Sequence, residues 1–239
     1  MKRKIYRLYD IRGVYPVEIN EKTAYIIGKS YGSILQTKYK KTICTVGHDN
    51  RLSSPSLHKS LIQGLIDTGL DVIDLGLVTT PMLYYASIKC HTLGIMVTAS
   101  HNPKDDNGFK FSFYFYGNAR GSQIYTFRDY TLKEESISGK GKITHLDILP
   151  YYESLFKDNI KMGPKRLKVV LDPGNGTTSP FALNIYKMFN NLDIIMINDK
   201  SDGTFPNHHP DPAVPENLKQ LQEKVKEVPY VFYYPSIPS

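Results

Sequence analysis

The feature that most constrains this chain is an alternation between two hydrophobic periods. Short apolar runs of strand length, at 42–47, 71–75 and 93–98, alternate with longer segments in which apolar residues recur every three or four positions. In 20–37, Ala24, Ile27, Tyr31, Ile34 and Leu35 share one face, and Asn20 stands where a helix N-cap belongs. A second helix is predicted to be capped by Ser54, with Pro55 in its first position, an apolar face of Leu57, Leu61, Leu65 and Ile66, and Gly69 at its close. A third runs from about Pro81 to Cys90. Strand, helix, strand, helix, strand with short connections predicts an α/β layer around a largely parallel sheet.

The pattern continues less regularly. Asn107-Gly108 reads as a turn signal, followed by a strand over 109–115. Glycines at 117, 121, 139 and 141 punctuate a weaker stretch with a short helix near 123–135, and 139–150 reads as a connection. Beyond it, a helix over 150–160, a strand over 166–172, a helix over 178–190, a strand over 192–197 and a helix over 215–227 make a second α/β unit. The expected fold class is therefore α/β. Two consecutive α/β domains, 1–146 and 147–239, carry mixed, largely parallel sheets, and the second is incomplete. The architecture repeats, but no internal sequence repeat is evident.

The 239 residues carry a net charge of +7, with 41% hydrophobic and 22% charged residues, so a sizeable core is affordable and an anionic partner is favoured. Charge alone does not choose among nucleic acid, an acidic membrane surface and phosphorylated metabolites. The clusters at 38–41 and 161–168 read as solvated surface. No nucleic-acid-binding motif is present. No apolar run approaches the ~18 residues of a membrane span, and the basic N-terminus is not followed by a signal-peptide core. Cys44 and Cys90 lie in apolar segments without metal-ligand spacing and read as buried free thiols. A cytoplasmic protein is expected, with neither nucleic acid nor membrane as partner.

One stretch carries chemistry. Thr98-Ala99-Ser100-His101-Asn102-Pro103, followed by Asp106-Asn107-Gly108-Phe109-Lys110, begins at the carboxyl end of a predicted strand, where open α/β sheets bind ligands. Ser100 would be exposed beside a small residue. His101 and Lys110 can supply positive charge or move protons, and the Asn-Pro pair stiffens the loop. Taken singly, these residues could equally form a tight turn and a hairpin.

Together they resemble the phosphoserine loop of the α-phosphohexomutase family, the phosphomannomutases and phosphoglucomutases. Tyr9-Asp10-Ile11-Arg12-Gly13 resembles that family's opening segment, and Gly47-His48-Asp49-Asn50-Arg51-Leu52-Ser53 its second signature loop. Asp202 to Pro212, continuing to Pro215-Glu216-Asn217, resembles a segment of its second domain. The resemblance runs in order over about residues 6–228. It implies that a phosphoserine at Ser100 donates its phosphoryl group to a hexose 1- or 6-phosphate. A hexose 1,6-bisphosphate then turns over in the site and returns the other phosphate to Ser100. It implies Mg²⁺ bound through the phosphate on Ser100. Arg12 and Lys110 would lie close to the transferring phosphate, Tyr9 and His101 would line the site, and acid–base help would come from His101, Lys110 and Arg12. His208, His209 and Asp211 could be metal ligands, but the resemblance favours a proline-stiffened loop. Asp172-Pro173-Gly174-Asn175-Gly176 could hold a phosphate ahead of a helix, and the resemblance makes it structural.

The sequence also departs from the family. His48 stands where arginine is common. The Asp-Gly-Asp-x-Asp-Arg loop whose aspartates bind Mg²⁺ is absent, as are the third and fourth domains. The tail from Val228 to Ser239 does not resemble the expected strand, which would leave the second sheet with an unpaired edge. A premature end is the expected cause. Hexose phosphates are the expected ligands, a separately encoded C-terminal portion a further partner, and low activity of the chain alone the expected consequence. The alternative is a non-catalytic sugar-phosphate-binding module. Preference between mannose and glucose is left open.

Overall fold

A computed structural model describes residues 3–115 and 117–228, together with the backbone of 231–235. One compact unit is built from the chain up to Ala99 with Asp105–Asp147, and the other from Ser100–Lys104 with the chain from Ile148 on.

The first unit runs β1 (Ile11–Val14), α1 (Glu21–Thr37), β2 (Ile43–His48), α2 (Ser54–Ile66), β3 (Asp71–Leu77), α3 (Thr80–Lys89), β4 (Leu93–Val97), β5 (Asp106–Phe111), α4 (Ser122–Lys133) and β6 (Ile143–His145). Its sheet has the order β1-β5-β4-β2-β3-β6. The β4-β2-β3-β6 portion is parallel, whereas β5 runs antiparallel to both β1 and β4. This is the mixed, largely parallel sheet that the alternation predicted.

Local chemistry explains most boundaries. The Asn20 side chain accepts from the Thr23 backbone N–H at 3.0 Å, satisfying one of the donors a helix start leaves open. At the next helix the expected cap is displaced. Ser54 is the first helical residue, Ser53 precedes it, and neither caps by the expected bond. Both hydroxyls instead accept from Asn107 Nδ2, at 2.8 and 2.9 Å. Helices α1 and α2 meet backbone to backbone. A Cβ on Gly28 would lie 2.3 Å from the Leu61 carbonyl oxygen, and one on Gly64 would lie 2.2 Å from that of Tyr25. Gly64→Ala is therefore expected to destabilise. Overpacking costs about 1–3 kcal/mol, at the upper end where the obstacle is backbone, against roughly 1 kcal/mol of helix propensity gained. A net loss of about 1–2 kcal/mol should appear as a lower urea midpoint with unchanged slope.

The core lies between α1, α2, α4 and the sheet. Tyr31 is fully buried against Phe111 and Phe113, each with ring centroids at 5.7 Å, and its hydroxyl donates to the Ser112 carbonyl at 2.7 Å. A satisfied hydroxyl lets so large a ring be buried without a polar penalty.

Several expectations are corrected here. Asn107-Gly108 is not a turn but part of β5, paired with β1 so that Arg12 faces Gly108. The glycine serves close approach, since a Cβ there would lie 2.0 Å from the Ile11 carbonyl oxygen. The strand expected to reach 115 ends at Phe111. β1 had no period long enough to announce it. Within the stretch 139–150, read as a connection, Ile143–His145 extends the sheet as β6 against β3. Cys44 is buried, but Cys90, at the end of α3, is only half-buried.

The second unit runs α5 (Leu149–Asn159), β7 (Leu167–Asp172), α6 (Ser179–Lys187), β8 (Leu192–Met196), α7 (Lys219–Glu227) and β9 (Val231–Pro235). Its sheet is β8-β7-β9, all parallel, with β7 central and its Val169, Val170 and Leu171 buried. The tail was expected not to supply a strand. β9 overturns that reading by pairing along β7 from Lys168↔Val231 to Asp172↔Pro235. A β-branched and aromatic run is compatible with a strand, and Pro235 is tolerated at its end. Residues 229–230 and 236–239 of that tail lie outside the described residues. Among the described residues no helix is long and apolar enough to cross a membrane.

Candidate active site

Ser100 follows directly from the carboxyl end of β4. The Thr98 amide donates to the Gly108 carbonyl at 3.0 Å, which continues the sheet bonding one residue past the strand. Ala99 is fully buried. Ser100 then takes a left-handed backbone, φ +53°. For a residue with a Cβ that conformation costs roughly 1–2 kcal/mol. Non-glycine residues held there cluster where surrounding contacts over-determine the backbone.

Arg12, on β1, is only 5% exposed. Its Nη1 donates to the Ala99 carbonyl and its Nη2 pairs with Asp10 Oδ2. Its Nε is buried without a hydrogen-bond partner among the described residues. Lys110 reaches the same region from β5, where it stands opposite Met96 of β4. Burial lowers the Lys110 pKa, and the like charge of Arg12 lowers it further, against the opposing pull of Asp10. β-pairing thus brings Arg12 and Lys110 together, with Asp10 between them electrostatically.

Tyr9 is 64% exposed just ahead of β1. His101 is exposed, and its Nδ1 lies 3.5 Å from Ser100 Oγ, the outer limit of a hydrogen bond.

A second group holds the Ala99 amide. Asp49 is 2% exposed and Arg51 is 1% exposed. Asp49 Oδ2 accepts from the Ala99 amide at 3.3 Å and from Arg51 Nε at 3.2 Å. Its Oδ1 accepts from the Arg51 amide at 3.2 Å and from Ser54 Oγ. Arg51 Nη1 donates to the Asp106 carbonyl at 3.2 Å. Asn107 joins this group through Ser53 and Ser54. The sequence alone assigns Asp49 no role within the 47–53 segment. An aspartate two residues before an arginine and five before a serine, just past a predicted strand, is the available signal.

His48 sits at the end of β2 with Nδ1 2.7 Å from the Asp49 carbonyl and its ring 4.7 Å from that of His58. Burial lowers its pKa. His58 Nε2 and His145 Nδ1 both approach Asp74, at 2.7 and 3.3 Å.

In the second unit, His208 forms a different kind of contact from the metal ligand considered above. Its Nε2 is 3.1 Å from Asp172 Oδ2, and its Nδ1 is 2.9 Å from the His209 carbonyl. Asp211 Oδ1 accepts from the Ala213 amide at 2.9 Å. Asp172 Oδ1 also accepts from Gly174 at 2.9 Å, so the glycine loop and the 202–211 loop are tied to one carboxylate. Two acceptors facing one imidazole favour its doubly protonated form, and the Asp172 bond raises the His208 pKa above 6.5, against burial. A raised folded pKa stabilises fully below the unfolded value and ceases to do so as pH rises through the folded value. Between pH 6 and 9 the melting temperature should therefore fall more in the native chain than in His208→Gln, as followed by circular dichroism.

The fold and the site define an α/β protein in which a left-handed serine follows the carboxyl end of a parallel-sheet strand, after a peptide whose carbonyl accepts from the buried Arg12. The chain matches the model of phosphoglucomutase/phosphomannomutase α/β/α domain I over residues 3–128 and that of α/β/α domain II over 150–233. The chain belongs to the phosphoglucomutase/phosphomannomutase family. The second match runs past Val228, where the resemblance was expected to stop. A Pseudomonas aeruginosa phosphomannomutase/phosphoglucomutase is 44% identical over 224 residues, 93% of this chain and 47% of that protein. A Neisseria meningitidis phosphoglucomutase is 36% identical over 228 residues, 94% of this chain and 48% of that protein. A crystal structure of a phosphoglucomutase/phosphomannomutase family protein from Burkholderia thailandensis superposes with a TM-score of 0.92 at 32% identity, covering 100% of this chain and 53% of that one. The chain thus spans about half the length of the relatives it matches.

Proposed function

We propose that this chain carries the phosphoryl-accepting part of a phosphohexomutase that interconverts hexose 1-phosphates and hexose 6-phosphates of mannose, glucose or both. The observation that carries the reading is the left-handed Ser100, held at a peptide whose carbonyl accepts from the buried Arg12. Phosphoserine at Ser100 gives its phosphoryl group to a hexose monophosphate, freeing the serine oxygen and forming the hexose 1,6-bisphosphate. The bisphosphate turns over and returns its other phosphoryl group to Ser100, leaving the isomeric monophosphate.

Such transfers depend mainly on positioning and on fixed positive charge. Arg12 supplies a buried cation whose Nε–H has no hydrogen-bond partner among the described residues. Lys110, with its lowered pKa, shares its proton more readily than an exposed lysine. His101 is near enough to Ser100 to help move the proton of the free hydroxyl, and Tyr9, exposed just ahead of β1, is assigned to substrate binding. The division of labour between domains 1–146 and 147–239, a cytoplasmic location and a C-terminal portion as partner belong to the same proposal.

The family resemblance implies Mg²⁺, which would supply Lewis-acid charge neutralisation at the transferring phosphate. Among the described residues no group of three or more histidine, cysteine, aspartate or glutamate side chains could hold a metal ion. These residues do not by themselves make the Mg²⁺ site, and no step above runs through it.

Interconversion of glucose 1-phosphate and mannose 1-phosphate with their 6-phosphates tests the reading. It is followed by phosphorus NMR with Mg²⁺ and a trace of 1,6-bisphosphate, with and without the second half of the Pseudomonas aeruginosa relative. Turnover that appears or rises with the added half is the expected result. Binding of both sugars without turnover in either mixture would favour the non-catalytic reading.

A further inference from the structure

Asp49 lies one residue past β2, with its own amide donating to the Val97 carbonyl of β4 at 3.0 Å. The carboxylate is buried and spent on four donors: the Ala99 amide, the Arg51 amide, Arg51 Nε and Ser54 Oγ. Arg51 is itself fixed at the Asp106 carbonyl, and Ser54 at Asn107. A carboxylate saturated in this way has little freedom to move, and a buried network that is fully paired is rigid.

Ala99 is consequently gripped on both sides. Its amide is held by Asp49, and its carbonyl by Arg12. The next backbone torsion belongs to Ser100 and sits in the left-handed region. Relaxing that torsion from the Ala99 side turns the Ala99–Ser100 peptide plane. Rotation breaks the Arg12 bond at the carbonyl and is resisted, one residue back, by the Asp49 bond at the amide.

We propose that Asp49 is a positioning residue for the phosphoryl-carrying serine: its buried carboxylate anchors the Ala99 amide and, with Arg12 on the Ala99 carbonyl, holds Ser100 in the strained conformation that presents its hydroxyl. The catalytic part of this inference rests on Ser100 being the acceptor. The positioning part does not. The Asp49 carboxylate is spent on protein donors and acts on the serine through the backbone. It sets the direction of the serine oxygen.

The test uses the full 239-residue chain with Asp49→Asn, which keeps the shape of the side chain and removes its charge. Asp74→Asn serves as a control, since Asp74 bonds His58 and His145 on the same sheet. Amide hydrogen exchange is read residue by residue by NMR. Asp49→Asn should raise exchange at Ala99 about tenfold or more, leave Ile95 of β4 and Tyr31 of α1 unchanged, and have no counterpart in Asp74→Asn. If Asp49→Asn does not fold, Ser54→Ala, which removes one bond to the same carboxylate, should raise exchange at Ala99 in the same direction by less. Wild-type protection of Ala99 in the folded variant overturns the proposal, as does an equal rise across β4 and α1.

A second readout is the rate of phosphate uptake at Ser100 from glucose 1,6-bisphosphate. Misplacement without lost contacts to the donor should lower the maximal rate about 10²-fold while the half-saturating donor concentration stays put. Uptake at the wild-type rate overturns the proposal. Absence of uptake in the wild-type chain contradicts the mutase reading instead, and the exchange experiment then decides the positioning claim alone.

Discussion

Ser100→Ala is expected to abolish uptake of phosphate from a hexose 1,6-bisphosphate, a loss of at least about 10⁴-fold, the order that follows deletion of a covalent nucleophile. No neighbouring group can replace the hydroxyl. His101 is exposed and not pinned by the grip on Ala99, and Lys110 is placed by a central strand. Thr98 is fully buried at the end of the sheet. The same position allows a control on folding. Ser100→Gly also removes the hydroxyl, but it relieves a left-handed backbone that costs a Cβ-bearing residue roughly 1–2 kcal/mol. Part of that relief is offset by the larger entropy glycine gives the unfolded chain. Ser100→Gly should therefore be inactive and at least as stable as the native chain, by urea titration. A stability loss in Ser100→Gly would contradict the strained geometry assigned to the loop.

Arg12→Ala has the next largest expected effect, and it acts on both activity and stability. The guanidinium is buried, paired with Asp10 and bonded to the Ala99 carbonyl. Removing it leaves a carboxylate and a carbonyl without their donor, and breaking a buried pair costs about 3–5 kcal/mol. It also removes a fixed donor from the place where negative charge is transferred, worth about 10²–10³-fold in rate. Arg12→Lys separates the two. An ammonium restores charge but cannot hold Asp10 and the carbonyl with one planar fork. Its uptake of phosphate should stay well below wild type although its melting temperature recovers in part. Full recovery of the rate in Arg12→Lys would show that only the charge matters and that the grip on Ala99 does not.

The sequence made the scaffold legible where periods were long. The Ala24–Leu35 face and the Asn20 cap placed α1 within a residue, and the alternation of three apolar runs with helices defined the parallel part of the sheet. It failed where a strand is short or its partner distant. β1 and β6, at three or four residues, carry no readable period, and their existence depends on β5 and β3 being there to pair with. Asn107-Gly108 misled because a dipeptide that usually turns a hairpin here allows two strands to approach closely. The tail misled because its prolines outweighed the β-branched and aromatic residues between them.

At the site, Ser100, Arg12 and Lys110 were singled out from the sequence, two of them by motif and one by its place downstream. What the sequence could not convey is that Arg12 and Lys110 become neighbours through the β1–β5 pairing, or that Asp49 reaches the Ala99 amide across 50 positions of chain. Such contacts between residues far apart in sequence leave no local periodicity.

The most direct measurement is mass spectrometry of the purified chain after incubation with glucose 1,6-bisphosphate, with the modified peptide sequenced. The expected result is the mass gain of a single phosphoryl group, located at Ser100 and reversed by adding excess glucose 1-phosphate. Phosphate found on another residue, or a chain that stays unmodified while the Pseudomonas aeruginosa relative is modified under the same conditions, would contradict it.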